Sequence, residues 1–193
     1  MHAFYINLDR RTDRRADMER EFGKMNLTVE RFPAVEYIPP TIGCNLSHIE
    51  VLKLARQRGY ESVMIFEDDF QFIVSKEEWD QLITRLPTSY DVVMMSYNLV
   101  DATPYNETFD KVHGAQTTSG YIVHSRFYDA LIAKWEEGTR LFKENPEVHW
   151  VYLLDQYWKS LQPTNEWYAF KTRIGIQRAG FSDLAGGFVE YGC

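Results

Sequence analysis

Apolar positions along the chain fall alternately into short runs and longer periodic stretches. Phe4-Tyr5-Ile6-Asn7-Leu8 reads as a first strand. The charged stretch from Asp9 to Arg15 then opens a helix whose apolar positions Met18, Phe22 and Met25 recur at spacings of four and three, with Gly23 placed to stop it. Thr28 to Val35 reads as a second strand, ended by a Pro39-Pro40 turn. A second helix is expected from about Leu46, with Ser47 and Glu50 as a capping box, Ile49, Leu52 and Ala55 facing inward, and Gly59 closing it. Val63-Met64-Ile65-Phe66 is a continuous apolar run, which suits a strand buried on both faces, as in a parallel sheet covered by helices. The order strand-helix-strand-helix-strand is that of a layered α/β domain.

The second half continues in the same manner. A capping box from Ser75 to Glu78 starts a helix with Trp79, Leu82, Ile83 and Leu86 on one face, and Asp91 to Met95 is a fourth strand. Val100 to His113 is polar and irregular and is expected to form a long loop or hairpin over the site. Gly120 to Val123 is a further strand, after which Ser125 caps a helix carrying Phe127, Leu131, Ile132 and Trp135. Residues 138–147 read as a second long connection that closes over the site. Leu154, Tyr157, Trp158 and Leu161 mark a last helix stopped by Pro163, and the Gly-rich tail from Arg173 has no clear period. No repeat or linker divides the chain, so residues 1–193 are expected to form a single domain.

Chemistry concentrates where the buried third strand ends, in Glu67-Asp68-Asp69. Carboxylates there would emerge beyond the carboxyl ends of the strands, where open α/β sheets bind ligands. Three adjacent anions raise one another's pKa unless a cation sits among them. Their hard oxygens suit Mg²⁺ or Mn²⁺, ions that usually arrive with a substrate phosphate. The first strand-helix turn lacks the Gly-rich loop of a dinucleotide site or P-loop and is charged instead. Asp9 and Arg11, nearest the strand end, are candidates for a diphosphate or nucleoside site, whereas Arg14 and Arg15 fit a solvated helix face, Arg15 paired with Glu19. Asp155 lies amid Leu153, Leu154, Tyr157 and Trp158 and is either an exposed residue on the polar side of an amphipathic helix or partly desolvated, which would raise its pKa toward that of a general base. Ser182-Asp183 either caps a turn or brings one more oxygen to a metal. His48, His113 and His149 are isolated in sequence and read as structural.

Composition narrows the classes. The net charge is −7 and no basic block is present, which argues against a nucleic-acid partner. No run approaches the about 18 apolar residues of a membrane span, and the first residues lack the pattern of a signal peptide. Cys44 and Cys193 make neither a disulfide framework nor a zinc pattern, so a cytoplasmic protein is expected and the Asn26, Asn45 and Asn106 glycosylation triplets read as chance matches.

Taken in order, Tyr5-Ile6-Asn7-Leu8-Asp9-Arg10-Arg11, Gly43-Cys44-Asn45-Leu46-Ser47-His48 and Phe66-Glu67-Asp68-Asp69 resemble glycosyltransferase family 25, the family of bacterial lipopolysaccharide glycosyltransferases and collagen hydroxylysine galactosyltransferases. Thr118 to Val123, Leu154 to Tyr157 and Gln177 to Asp183 extend the resemblance over nearly the whole chain. It implies a GT-A-like, Rossmann-like layered sheet with helices on both faces, a UDP-sugar donor (UDP-galactose or UDP-glucose), Mn²⁺ or Mg²⁺, and inversion at the sugar. The acceptor would be a hydroxyl of a glycan or of a protein-linked group. Glu67-Asp68-Asp69 looks like the family's Asp-x-Asp motif, with Asp69 on the metal, Asp183 a further metal ligand, and Glu67 and Asp68 fixing the donor. Asn7, Asp9, Arg11 and Ser47 would line the donor pocket, and Asp155 would be the base. Two other readings are a nucleotide-sugar-binding domain without transfer and a phosphatase with an aspartyl nucleophile. The phosphatase wants Asp first in an Asp-x-Asp unit near the N-terminal strand, whereas this chain has Glu67 first and in its middle.

Overall fold

The computed structural model describes residues 1–193. Strands and α-helices follow one another as β1 (His2–Asn7), α1 (Thr12–Met25), β2 (Glu30–Pro33), α2 (Pro40–Gln57), β3 (Ser62–Glu67), β4 (Phe70–Phe72), α3 (Lys76–Ile83), β5 (Val92–Met94), β6 (Asn98–Pro104), β7 (Phe109–Gln116), β8 (Gly120–His124), α4 (Tyr128–Glu144), α5 (Leu154–Tyr157), β9 (Trp167–Phe170), β10 (Gly175–Gln177), β11 (Gly180–Ser182) and β12 (Gly187–Val189). Eight strands form one sheet in the order β2-β1-β3-β8-β5-β9-β7-β6, and the pairs β10-β4 and β11-β12 form two small sheets.

Side chains alternate between the two faces of a strand, and the core follows that parity. Phe4, Ile6, Val63, Ile65, Val92 and Met94 point to one face and pack under α2 and α4. Ala3, Tyr5, Met64, Phe66, Val93 and Met95 point to the other, where Met18, Phe22 and Met25 of α1 and Trp79 of α3 cover them. The layered α/β architecture with helices on both faces is therefore as the sequence implies. No helix is long and apolar enough to cross a membrane.

Several local expectations are corrected. The sheet is mixed, not parallel: β8 runs antiparallel to both β3 and β5. An apolar run reports burial on two faces, not strand direction, so the sequence left this open. Helix α2 begins at Pro40 instead of Leu46, because proline at the first helical position already has the required φ and lacks the N–H that would go unpaired. Ser47 is thus inside the helix and caps nothing; its hydroxyl donates to the Gly43 carbonyl at 2.7 Å and accepts from the Val35 N–H at 2.8 Å. Ser125 does not cap α4 either, since a 3-10 turn over Ser125–Phe127 leads into it. Residues 138–144 continue α4, where Leu131, Trp135, Gly138 and Phe142 keep a buried stripe at helical spacing. Residues 100–113 form most of the β6-β7 hairpin at the far edge of the sheet, well away from the end of β3. The expected last helix is one α-helical turn, α5, followed by a 3-10 stretch over Trp158–Thr164.

One packing detail fixes the end of β3. After the acidic turn, β4 pairs antiparallel with β10, and the fully buried Phe70 ring lies 4.9 Å from the ring centres of both Phe66 and Phe72. Its edge fills the space that side chains at Gly120 and Gly175 would need. A Cβ would stand 2.4 Å from the ring at Gly120 and 2.1 Å at Gly175.

Gly175→Ala is therefore expected to destabilise the fold by about 1–3 kcal/mol, the usual cost of overpacking. Gly23→Ala, on α1 with nothing within 4 Å of a new Cβ, should be neutral or stabilise by up to about 1 kcal/mol. Urea unfolding of the two variants checks the contrast, and equal effects would mean that Phe70 is not the constraint.

Candidate active site

Helix α1 leaves β1 on one face of the sheet and α2 enters β3 on the other, so the strand order reverses at the neighbouring ends of β1 and β3. A crevice opens at such a switch point. A cavity of about 700 Å³ lies there, with Ile6, Leu8, Val35, Tyr37 and Ile38 among its apolar wall residues. Arg10, Arg14, Glu67, Asp68 and Asp69 line its polar side, and Asp183, Leu184 and Tyr191 bring the C-terminal segment to its mouth.

The acidic turn is held from several elements. Asn7, the last residue of β1, donates from Nδ2 to Asp68 Oδ2 at 2.8 Å, while its Oδ1 accepts from Arg31 at 3.0 Å. Arg14 of α1 donates to Asp68 Oδ1 at 2.6 Å, to Asp69 Oδ2 at 3.2 Å and to the Phe181 carbonyl at 2.9 Å. Gln177 of β10 donates to the same Asp69 oxygen at 3.2 Å. Glu67 faces the other way, accepting from the Thr118 hydroxyl at 2.6 Å and lying 3.2 Å from His48 Nε2, whose Nδ1 is 2.9 Å from the Tyr121 hydroxyl.

One guanidinium among three carboxylates leaves the turn short of positive charge. Burial, and then the negative charge of Glu67, push the Asp69 carboxyl up to about 7, with Arg14 opposing. Burial also works against an ionised Glu67, but the hydrogen bonds from His48 and Thr118 outweigh it and hold that group below its usual range. The buried Oδ1 of Asp69 has no hydrogen-bond partner. A buried acceptor left unpaired is costly, and a hard cation would satisfy it, so Asp69 fits Mg²⁺ or Mn²⁺, whereas both Asp68 oxygens are engaged by Asn7 and Arg14.

The other expected site residues are distributed unevenly. Arg11 pairs with Asp13 at 2.9 Å and with Asp183 at 2.7 Å, and Arg10 holds the second Asp183 oxygen at 2.9 Å. Both oxygens of Asp183 are therefore engaged by the arginines, and Asp183 lines the same cavity as Asp69. Asp9 lies outside the cavity wall, its exposed carboxylate paired with Arg31. Asn7 stands behind the wall and positions Asp68, whereas Ser47 is part of the wall itself. Asp155 is not in the wall. Its carboxylate accepts from the Thr117 N–H at 3.3 Å, next to the threonine that holds Glu67. Burial, only partly offset by that N–H, raises its pKa as expected.

Arg14 overturns the solvated reading: it is the cation of the acidic turn, while Arg15 does pair with Glu19 at 2.9 Å on the surface. The signal was available, because Arg14 precedes Met18, Phe22 and Met25 on the same inward stripe of α1. His48 likewise precedes Leu52 and Ala55 on the buried stripe of α2 and is a site neighbour as well as a core residue. The Gln177 contact depends on the β4-β10 pairing, which no local pattern announced.

No family model matches the chain. It is 31% identical, over 37% of its length, to a glycosyltransferase 25 family member of Anopheles gambiae, and 34% identical over 37% of its length to one of Drosophila pseudoobscura pseudoobscura. Those matches span 17% and 16% of the relatives, so the chain covers about one sixth of the length of the curated relatives it matches. Among solved structures it is similar to a glycosyltransferase involved in the glycosylation of the major capsid of PBCV-1, with a TM-score of 0.57 at 10% identity, covering 96% of this chain and 95% of that one. The structural likeness shows a shared fold. The sequence matches are to members of glycosyltransferase family 25, the family that the ordered motifs resemble.

The raised pKa of Asp155 has a consequence for stability. A carboxyl whose folded pKa lies above its unfolded value favours folding while protonated, and that contribution is lost as pH rises through the folded pKa. Asp155→Asn mimics the protonated form, so the variant should melt higher than the parent at pH 7–8. The gap should close as pH falls toward the ordinary carboxyl value of 3.8. Melting curves across that range check it, and a variant less stable at neutral pH would show that the ionised carboxylate makes a net stabilising contact.

Proposed function

We propose that residues 1–193 form one glycosyltransferase domain that moves a hexose from a UDP-sugar, UDP-galactose or UDP-glucose, to a hydroxyl of a glycan or protein-linked acceptor, with inversion and with Mn²⁺ or Mg²⁺. The observation that carries this reading is the unpartnered, buried Asp69 Oδ1 in a charge-deficient turn, set in a cavity with arginines on one side and an apolar wall on the other. A divalent ion held by Asp69 would offset the charge that builds on the departing nucleoside diphosphate. Arg14 and Asn7 keep Asp68 and Asp69 oriented. Arg10 in the cavity wall would meet a diphosphate once Asp183 yields it, Arg11 stands behind Asp183 outside the wall, and Leu8, Val35 and Tyr37 offer the surface for a nucleoside. Asp155, with its raised pKa, would take the proton from the attacking hydroxyl.

A second reading is a nucleotide-sugar-binding domain without transfer. It is favoured by the position of Asp155 outside the cavity wall, which leaves the base short of the donor until a bound acceptor bridges the two.

UDP with Mn²⁺ should raise the melting temperature, and EDTA should remove the shift. Asp69→Ala should fold and lose metal-dependent donor turnover by about 10²–10³; a variant with normal turnover and metal dependence would place the ion elsewhere. No shift with any nucleoside diphosphate would defeat both readings.

Asp155→Asn separates the base from a binding role. Donor and metal affinity should stay near the parent value while transfer falls by about 10²–10⁴, the usual contribution of a positioned base. Transfer at the parent rate would remove the assignment. A parent chain that binds UDP-sugar and metal yet turns over nothing with a wide acceptor panel would favour the second reading.

A further inference from the structure

We propose that Cys44, His48 and Glu67 form a second metal site, chemically distinct from the acidic turn, that takes a soft divalent ion of the zinc class. Cys44 and His48 stand one turn apart on α2, and Glu67 ends β3 opposite them. One ligating atom from each lies within 4.8 Å of the other two. Tetrahedral zinc with sulfur, nitrogen and oxygen ligands sets those atoms about 3.3–3.7 Å apart. The edge from His48 Nε2 to Glu67 Oε1 is already 3.2 Å, close to that spacing, and the Cys44 thiol lies within 4.8 Å of both.

The donor types decide which ion. Thiolate and imidazole select zinc over magnesium or manganese, whose preferred oxygens lie instead at Asp68 and Asp69. The surrounding contacts match those that orient metal ligands. His48 Nδ1 is 2.9 Å from the Tyr121 hydroxyl, which leaves Nε2 aimed at Glu67, and the Thr118 hydroxyl holds the Glu67 carboxylate at 2.6 Å. All three ligating residues line the cavity, so the fourth coordination position opens into it, as in zinc sites that keep an exchangeable ligand. A thiol binds a metal ion as the thiolate, so binding releases the Cys44 proton to solvent, with no change of oxidation state. The inference rests on these three side chains and not on the transferase reading.

The test is a titration of the full, reduced chain with Co²⁺, followed by displacement with Zn²⁺ against a chromophoric chelator. One equivalent should bind with an intense near-ultraviolet thiolate-to-cobalt band and the visible bands of a tetrahedral ion. Cys44→Ser should lose the near-ultraviolet band and weaken Zn²⁺ by at least the roughly 10–100-fold that loss of an outer partner costs. Tyr121→Phe removes only the hydroxyl behind His48 and should weaken Zn²⁺ by roughly 10-fold while keeping the band. Asp69→Ala should retain both. Cobalt binding without a thiolate band, or loss of the ion in Asp69→Ala but not in Cys44→Ser, would overturn the site in favour of a direct His48 to Glu67 hydrogen bond. A UDP and Mn²⁺ melting shift in a chain with no cobalt band would reject this site and leave the transferase reading standing.

Discussion

The site depends on a single guanidinium facing more negative charge than it can neutralise. Like charges a few ångströms apart repel by a few kcal/mol even at an effective dielectric near 20, so Glu67, Asp68 and Asp69 cannot all be ionised at low cost with only Arg14 among them. The turn responds in two ways. Glu67 rotates away to Thr118 and His48, and Asp69 retains a proton up to about pH 7. What remains is a buried oxygen without a partner and a net demand for positive charge. A structural ion-pair network would have no reason to leave that demand open, because a second basic side chain would close it.

Such an arrangement persists only on a rigid support. Phe70, one residue beyond the turn, is locked between Phe66, Phe72 and the bare backbones of Gly120 and Gly175, which belong to two different strands. Asn7 ties the turn to β1 and Arg14 ties it to α1. The core beneath supplies the stability that the crowded carboxylates take away, a division of labour common where active sites carry unfavourable electrostatics.

Much of this was legible in the sequence, and the limits have physical causes. The strand at residues 62–67, the α1 stripe and the Ser75 to Glu78 capping box are local patterns, and the structure reproduces them. Arg14 and His48 were legible too, but only by asking which polar residues sit on an otherwise apolar stripe; judged by residue type, one looked solvated and the other merely structural. The start of helix α2 is ambiguous in the sequence, because a Pro-Pro pair ends a strand and opens a helix equally well. The antiparallel insertion of β8, the edge position of the β6-β7 hairpin and the pairing of β10 with β4 are long-range choices, and no local period encodes them.

The cavity divides its charges by sign. The acidic turn carries more negative charge than Arg14 neutralises, whereas Arg10 and Arg11 are neutralised by Asp183 together with the largely exposed Glu36 and Asp13. Exposed ion pairs contribute little, so those two carboxylates give up the guanidiniums easily. Asp183 differs: its side chain is 20% exposed and both of its oxygens are engaged. An anion engaging the arginines must therefore compete with Asp183, which joins β11 to β12 close to the Phe181 carbonyl that Arg14 also holds. A cation in the turn draws carboxylates toward itself, and an anion at the arginines releases one. On the proposed reading, a metal–diphosphate pair would answer both halves of the site at once, where either ion alone would leave the other half as it stands.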